Sequence, residues 1–291
     1  MMTGDCKSKR FTVRLFARPS FPREEDSSPR EQTMGRSSKD RDGGRGGRAA
    51  GPPSVTIFPF LAEQGSGGER SRFPDPRVRQ VPKIFEDLFP NASVKASIPL
   101  TGRELSFQGS CLSSFLKHSW DALQTVNIIV THRNFLANEV LKRGGVSSPG
   151  SIPNAAVVGM TVKAMSSGEE KNIIFVRHCT SHHNASRTGS GSMTTCADVT
   201  ALSALSSRLK RAFEDGNVLY GSSILPRAVL SCIALQAAVS DEDLEAARNA
   251  FDPDSRARPE EVDAYKKKHA CSLFPEKGSY CAGAQGTFNL S

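Results

Sequence analysis

A chain of 291 residues with 37% hydrophobic residues can bury one sizeable core, but not one that runs its whole length. Its formal charge of +8 is unevenly placed: the first 82 residues carry 16 lysines and arginines against 10 acids, so the remainder is near balance and a nucleic-acid partner is not expected. No apolar run approaches the ~20 residues of a membrane span, and seven scattered cysteines suit reduced thiols inside a cell better than a disulfide framework.

Residues 1–69 read as a disordered basic leader. KDRDGGRGGRAAGPP is glycine, arginine and proline without periodicity. MMTGDCKSKRFTVRLFARPS suits either a mitochondrial or plastid transit peptide or the solvated tail of a cytoplasmic protein. Order is expected over residues 70–240. VRQVPKIFEDLF reads as a short strand broken at Pro82 and then a helical turn. Leu105, Leu112, Phe115, Leu116 and Leu123 fall near helical spacing over 105–124, and TVNIIV (125–130) is a strand buried on both faces. Phe135, Leu136, Val140 and Leu141 line one face of a helix that Gly144–Gly145 stops. AAVVGMTV (155–162) is a strand, SSGEEK a polar linker, and NIIFV (172–176) a second fully apolar strand. A Ser/Thr/Gly-rich loop, a helix (198–213), a strand (217–223) and a helix (224–239) follow. Residues 241–291 form an extension without an assigned role, an acidic helix DEDLEAARNAF that becomes irregular after DPDSRARP. Strands alternating with helices of this length predict an α/β fold, three layers α/β/α around a mostly parallel sheet.

Ligands of open α/β sheets bind beyond the carboxyl ends of the strands. There NIIFV runs into Arg177–His178, NIIV into Thr131–His132–Arg133, and VLYGSS leads to Arg227. Two guanidiniums and two imidazoles around one point make a pocket for a tetrahedral dianion, because the Arg fork matches phosphate oxygens in pairs. The alternative chemistry is zinc held by His178, Cys179, His182 and His183 with Cys196, although their spacing fits a metal site poorly.

RHCTSHHN resembles the RHGxSxxN signature of the histidine phosphatase (phosphoglycerate mutase-like) superfamily at Arg177, His178, Ser181 and Asn184. SSILPRAVLSCIAL is similar to that family's second block, with Arg227 as its arginine. NIIVTHRNFLANEVLKRG followed by IPNAAVVGM is similar to its closing block, a strand ending in the second catalytic histidine, His132. The closing block stands first in this chain, so the resemblance implies a circularly permuted domain; a composite of the end of one copy and the start of another is the rival explanation. It further implies hydrolysis of a phosphate monoester, or phosphoryl transfer, through a phosphohistidine on His178. Arg177, Arg227 and His132 would hold the phosphoryl oxygens, with Asn184 and Ser181 beside them, and no metal or cofactor is required. The general acid is assigned to Glu86, with Asp87 and Glu104 as reserves. Cys179 replaces the usual glycine after the nucleophile, and Arg133 replaces a common glycine after His132. The substrate expected is a phosphorylated small molecule or phosphoprotein; the non-enzymatic alternative is an inactive, phosphate-binding relic of the same fold. The assignment requires His132 and Arg227 to lie beside His178 within one molecule.

Overall fold

The computed structural model describes residues 11–16, 51–61, 76–98, 100, 111–144, 152–189, 191–213, 217–269 and 287–290. The strands are β1 Phe11–Phe16, β2 Ser54–Ile57, β3 Ser93–Ala96, β4 Val126–Thr131, β5 Val157–Ala164, β6 Glu170–Arg177, β7 Thr180–Ser181, β8 Cys196–Asp198, β9 Val218–Ser222 and β10 Thr287–Leu290. The α-helices are α1 Val81–Leu88, α2 Leu112–Ser119, α3 His182–Ser186, α4 Thr200–Ala212, α5 Pro226–Ala234, α6 Asp241–Phe251 and α7 Pro259–Lys268. A π-helical segment, Phe135–Leu141, follows β4. Among the described residues no helix is long and apolar enough to cross a membrane.

Eight strands form one sheet in the order β10-β1-β5-β6-β4-β9-β2-β3, while β7 and β8 pair apart. From β6 to β3 all neighbours are parallel; β5 pairs antiparallel with β6 on one side and with β1 on the other. Alternation along the central strands divides the core. Ile128, Val130, Ile174 and Val176 face α4, α5 and α6, whereas Ile129, Ile173 and Phe175 face α2 and the π-helical segment. Helices on both faces of a mostly parallel sheet give the α/β architecture expected from the alternation of elements.

Several expectations are corrected. The disordered leader does not hold for residues 51–61: β2 pairs in parallel with both β3 and β9, and Ile57, Phe58 and Leu61 are fully buried. Gly221 makes room for this packing, since a Cβ there would come within 2.6 Å of the Phe58 ring. Within 1–69, β1 also joins the sheet, against β5. Residues 76–88 hold no strand; a 3-10 turn, Pro76–Gln80, leads into α1, whose first turn accepts Pro82 because no backbone N–H is needed there. The polar linker is the tip of a hairpin joining β5 to β6, turned at Gly168 with φ +73°. The helix predicted over 105–124 is α2 followed by a 3-10 turn, Trp120–Ala122; residues 101–110 lie outside the described residues. The tail after DPDSRARP is not irregular throughout, because Pro259 starts α7. The domain therefore does not stop at residue 240: Ala247 and Phe251 of α6 belong to the main core. Cys179 and Cys196 are disulfide-bonded rather than reduced, while Cys111 and Cys232 are free.

Candidate functional site

Three parallel strands deliver the site from their carboxyl ends. In register, Thr131 of β4 lies beside Arg177 of β6, and Val130 beside Ser222 of β9. The next residues of the three strands are therefore neighbours: His132, His178 and Ser223. The His178 N–H donates to Thr131 O at 3.0 Å, and the Ser223 N–H to Val130 O at 3.0 Å. Ladder hydrogen bonds thus continue one residue past each strand and fix the starting points of the side chains.

His178 and His132 lie with ring centroids 5.1 Å apart, and Arg227 Nε donates to His178 Nε2 at 3.3 Å. Arg227 reaches this point because Pro226 opens α5 shortly after Ser223–Ile224 and turns the first helical turn over the strand end. Its Nη1 donates to Gly191 O at 2.6 Å, which ties the loop before β8 to the site. Arg177 Nη1 donates to Ile152 O. His132 Nε2 shares a hydrogen bond of 2.5 Å with Ser223 Oγ. The side chains of Arg177, His178, His132 and Arg227 are all at least nine-tenths buried.

Electrostatics set the protonation. Burial, then the positive charges of Arg227 and Arg177, hold His132 well below the ordinary histidine range. Burial, then Arg227, His132 and Arg177, hold His178 well below it too. The one opposing influence on His178 is its hydrogen bond to Cys179 O at 2.7 Å from Nδ1. A carbonyl only accepts, so Nδ1 carries the proton and Nε2 keeps its lone pair. A neutral imidazole that presents a lone pair is chemically able to act as a nucleophile, and a guanidinium beside it is able to hold an anion.

The remaining predicted residues are placed differently. Ser181 caps α3: its hydroxyl accepts from the Asn184 N–H at 3.2 Å and donates to Asn184 Oδ1 at 2.9 Å. Its hydrogen-bonding capacity is engaged in a helix cap, and half-buried Asn184 has its carbonyl oxygen occupied. Glu86 is not at the rim. Its Oε1 accepts from the Val94 N–H at 3.3 Å, near the start of β3. Val94 stands level with Ile174, by way of Val55, Tyr220 and Ile128, so Glu86 is four strands across and four residues back from His178. That separation is roughly 20 Å. The misassignment follows from reading the preceding segment as a strand; α1 runs antiparallel to β3 and carries its last turn away from the carboxyl ends. Asp87 pairs with exposed Lys83 at 2.6 Å, and Glu104 lies outside the described residues. Arg133 is exposed beside the site.

The zinc alternative loses its donors. Cys179 and Cys196 bond to each other, and His182 Nδ1 accepts from the Ala257 N–H at 3.2 Å. Among the described residues no group of three His, Cys, Asp or Glu side chains could hold a metal ion.

Other contributors have no assigned role in the sequence. Ser223 holds His132, Ser231 Oγ accepts from the Cys179 N–H at 2.9 Å, and Asn154 Nδ2 donates to His178 O and Cys179 O at 2.8 and 2.6 Å. Ser223 and Asn154 are visible as polar residues bordering apolar blocks. Ser231 is not, because a serine inside an apolar helix pattern reads as filler. The chain matches no protein-family model, and comparison with curated proteins and with solved structures gives no significant match.

Proposed function

We propose that the chain is a circularly permuted histidine phosphatase that hydrolyses a phosphate monoester, or transfers its phosphoryl group, through a phosphohistidine on His178. The observation that carries this reading is the convergence, in one molecule, of His178 with Arg227 at 3.3 Å and His132 at 5.1 Å between rings, from segments distant in sequence. The permuted phosphoglycerate mutase-like fold belongs to the same reading. Its support is the β5–β6 hairpin, which lets the closing block run into the nucleophile block with five intervening residues, Met165 to Glu169.

In the reaction, the Nε2 lone pair of neutral His178 attacks phosphorus, the N–P bond forms and the ester P–O bond breaks. Arg177, Arg227 and His132 surround the oxygens as charge shifts. Water then cleaves the N–P bond, releasing orthophosphate and restoring the imidazole. Glu86 takes no part, being roughly 20 Å away by the strand spacings. An alkoxide leaving group needs a proton from another source, whereas p-nitrophenolate leaves without one.

That distinction gives the test. The protein is expected to hydrolyse p-nitrophenyl phosphate in EDTA, to lose at least ~10³-fold in rate with His178→Ala, and to yield acid-labile label on His178 from a labelled phosphodonor. Label on another residue overturns the assignment. The position of Glu86 favours one second reading, a relic that binds phosphate without turnover. Orthovanadate binding abolished by Arg227→Ala, with no hydrolysis of p-nitrophenyl phosphate, would establish the relic instead.

A further inference from the structure

The turn bearing His178 is gripped from outside by residues that neither belong to β6 nor line the cradle. The segment 152–156 wraps it. Ile152 O accepts from Arg177 Nη1, Ala156 O accepts from the Arg177 N–H at 2.9 Å, and the Ala155 N–H donates to Arg177 O at 3.1 Å. Ala155 makes its contact with φ +58°, a left-handed conformation that is unfavourable for a residue with a Cβ. At the centre is Asn154, whose Nδ2 donates to both His178 O and Cys179 O. Cys179 O is also the acceptor for His178 Nδ1. The same amide therefore holds one of the two groups that set the tautomer of His178, the other being the Arg227 Nε–H that donates to Nε2.

Asn154 is in turn held by the C-terminal extension. The Tyr265 hydroxyl of α7 donates to Asn154 Oδ1 at 3.3 Å. α7 is fastened to two elements that follow β6: Lys266 pairs with Asp198 at the end of β8 at 3.4 Å, and the turn before α7 bonds His182 at the start of α3 through Ala257. A hydroxyl donor on one side and two carbonyls on the other allow only one orientation of the amide.

We propose that Tyr265 and Asn154 form a positioning relay for His178. Tyr265 fixes the amide, the amide fixes Cys179 O, and Cys179 O fixes the proton on Nδ1, leaving Nε2 aimed at the phosphorus. The relay rests on the phosphohistidine reading and gives residues 259–268 a part in it. It acts on the chemical step, not on substrate binding, and it acts through one residue.

A double-mutant cycle with p-nitrophenyl phosphate tests this. Tyr265→Phe is expected to lower kcat about 5- to 10-fold and Asn154→Ala about 100-fold, with KM within about 2-fold. The double variant should match Asn154→Ala alone, because Tyr265 has nothing further to act on. A Tyr265→Phe loss of equal size in both backgrounds, or a raised KM with kcat intact, overturns the relay. The ¹⁵N imidazole shifts of His178 supply a readout that needs no turnover. The protein should show the Nδ1-protonated tautomer, and Tyr265→Phe should populate the other. An unchanged tautomer overturns the relay even in an active enzyme; a changed tautomer in a protein without turnover supports the relay and removes the phosphatase reading.

Discussion

Strand β6 buries cations at both ends, and the ends are built on opposite principles. At its start, Lys171 is 5% exposed, and its ammonium donates to Trp120 O at 2.7 Å and Leu123 O at 2.6 Å. Glu169 adds an ion pair at 3.3 Å, and the Trp120 ring lies 4.7 Å beneath. These carbonyls close the 3-10 turn before β4, so the cation completes a helix end. At the other end the charges acting on His178 are those of Arg227, His132 and Arg177, all of one sign. A buried cation surrounded by carbonyl and carboxylate oxygens is structural. Cationic groups gathered until they depress one another store repulsion that a phosphate dianion relieves, and that is the form of a binding site.

The comparison is broken most severely at Arg227. Arg227→Met is expected to lower kcat/KM for p-nitrophenyl phosphate about 10³-fold, equivalent to about 4 kcal/mol of transition-state stabilisation. Urea unfolding should show a stability change below about 1 kcal/mol, since exchanging a buried guanidinium for an apolar side chain removes its desolvation cost and offsets the bonds lost. Excess orthophosphate should raise the melting temperature of the unaltered protein and not of the variant. At the opposite end Lys171→Met should reverse the pattern. It strips two buried carbonyls and the carboxylate of their donor, costing about 3 kcal/mol in urea unfolding, with kcat/KM within about 2-fold. A loss of activity as large as that of Arg227→Met would erase the distinction between the two ends.

How much of this is legible in the sequence depends on range. β4, β6 and β9 announce themselves as apolar runs, and their terminal residues follow as the rim, so residue order alone groups Arg177, His178, His132 and Arg227. β2 is hidden because SVTI is four residues long in a Gly/Pro-rich setting, and a strand that short is stabilised only by its neighbours, here β9 and β3. Glu86 is misplaced for a local reason: Pro82 reads as the end of a strand, whereas it begins α1. The grip of Tyr265 on Asn154 spans 111 residues and leaves no periodic trace. The disulfide is equally invisible, since spacing alone assigns seven cysteines no partners.

That disulfide adds a covalent element beside the carboxyl end of β6. It joins residues 17 apart, Cys179 next to His178 and Cys196 on β8, both buried. Cys196→Ser should lower stability by about 2–3 kcal/mol, mainly by freeing the unfolded chain. Urea unfolding with and without a dithiol reductant checks the source. The unaltered protein should lose the same amount on reduction, and the variant should lose nothing further.

The smallest effect separates the cradle from its surroundings by pH. His182, at the start of α3 just beyond His178, is pushed down to about 4 by burial first and then by Arg248 and Arg256, against the opposing charge of Glu245. Its Nδ1 accepts from the Ala257 N–H, so protonation breaks a bond to the segment leading into α7. Because the folded value lies below the unfolded value of 6.5, the unfolded chain binds the proton first as pH falls. The stabilisation is complete above pH 6.5 and is lost progressively down to about 4. His132 and His178 shift in the same direction, so wild-type stability alone does not isolate His182. The difference between wild type and His182→Gln does: between pH 7 and pH 4.5 wild type should lose about 2 kcal/mol more than the variant, less than the full shift implies because the ring edge still meets solvent. Saturating orthophosphate should reduce the part of the pH dependence common to both proteins, because it neutralises the repulsion on His178 and His132, and should leave the His182 difference standing. A difference that disappears with phosphate would mean that His182 belongs to the cradle after all.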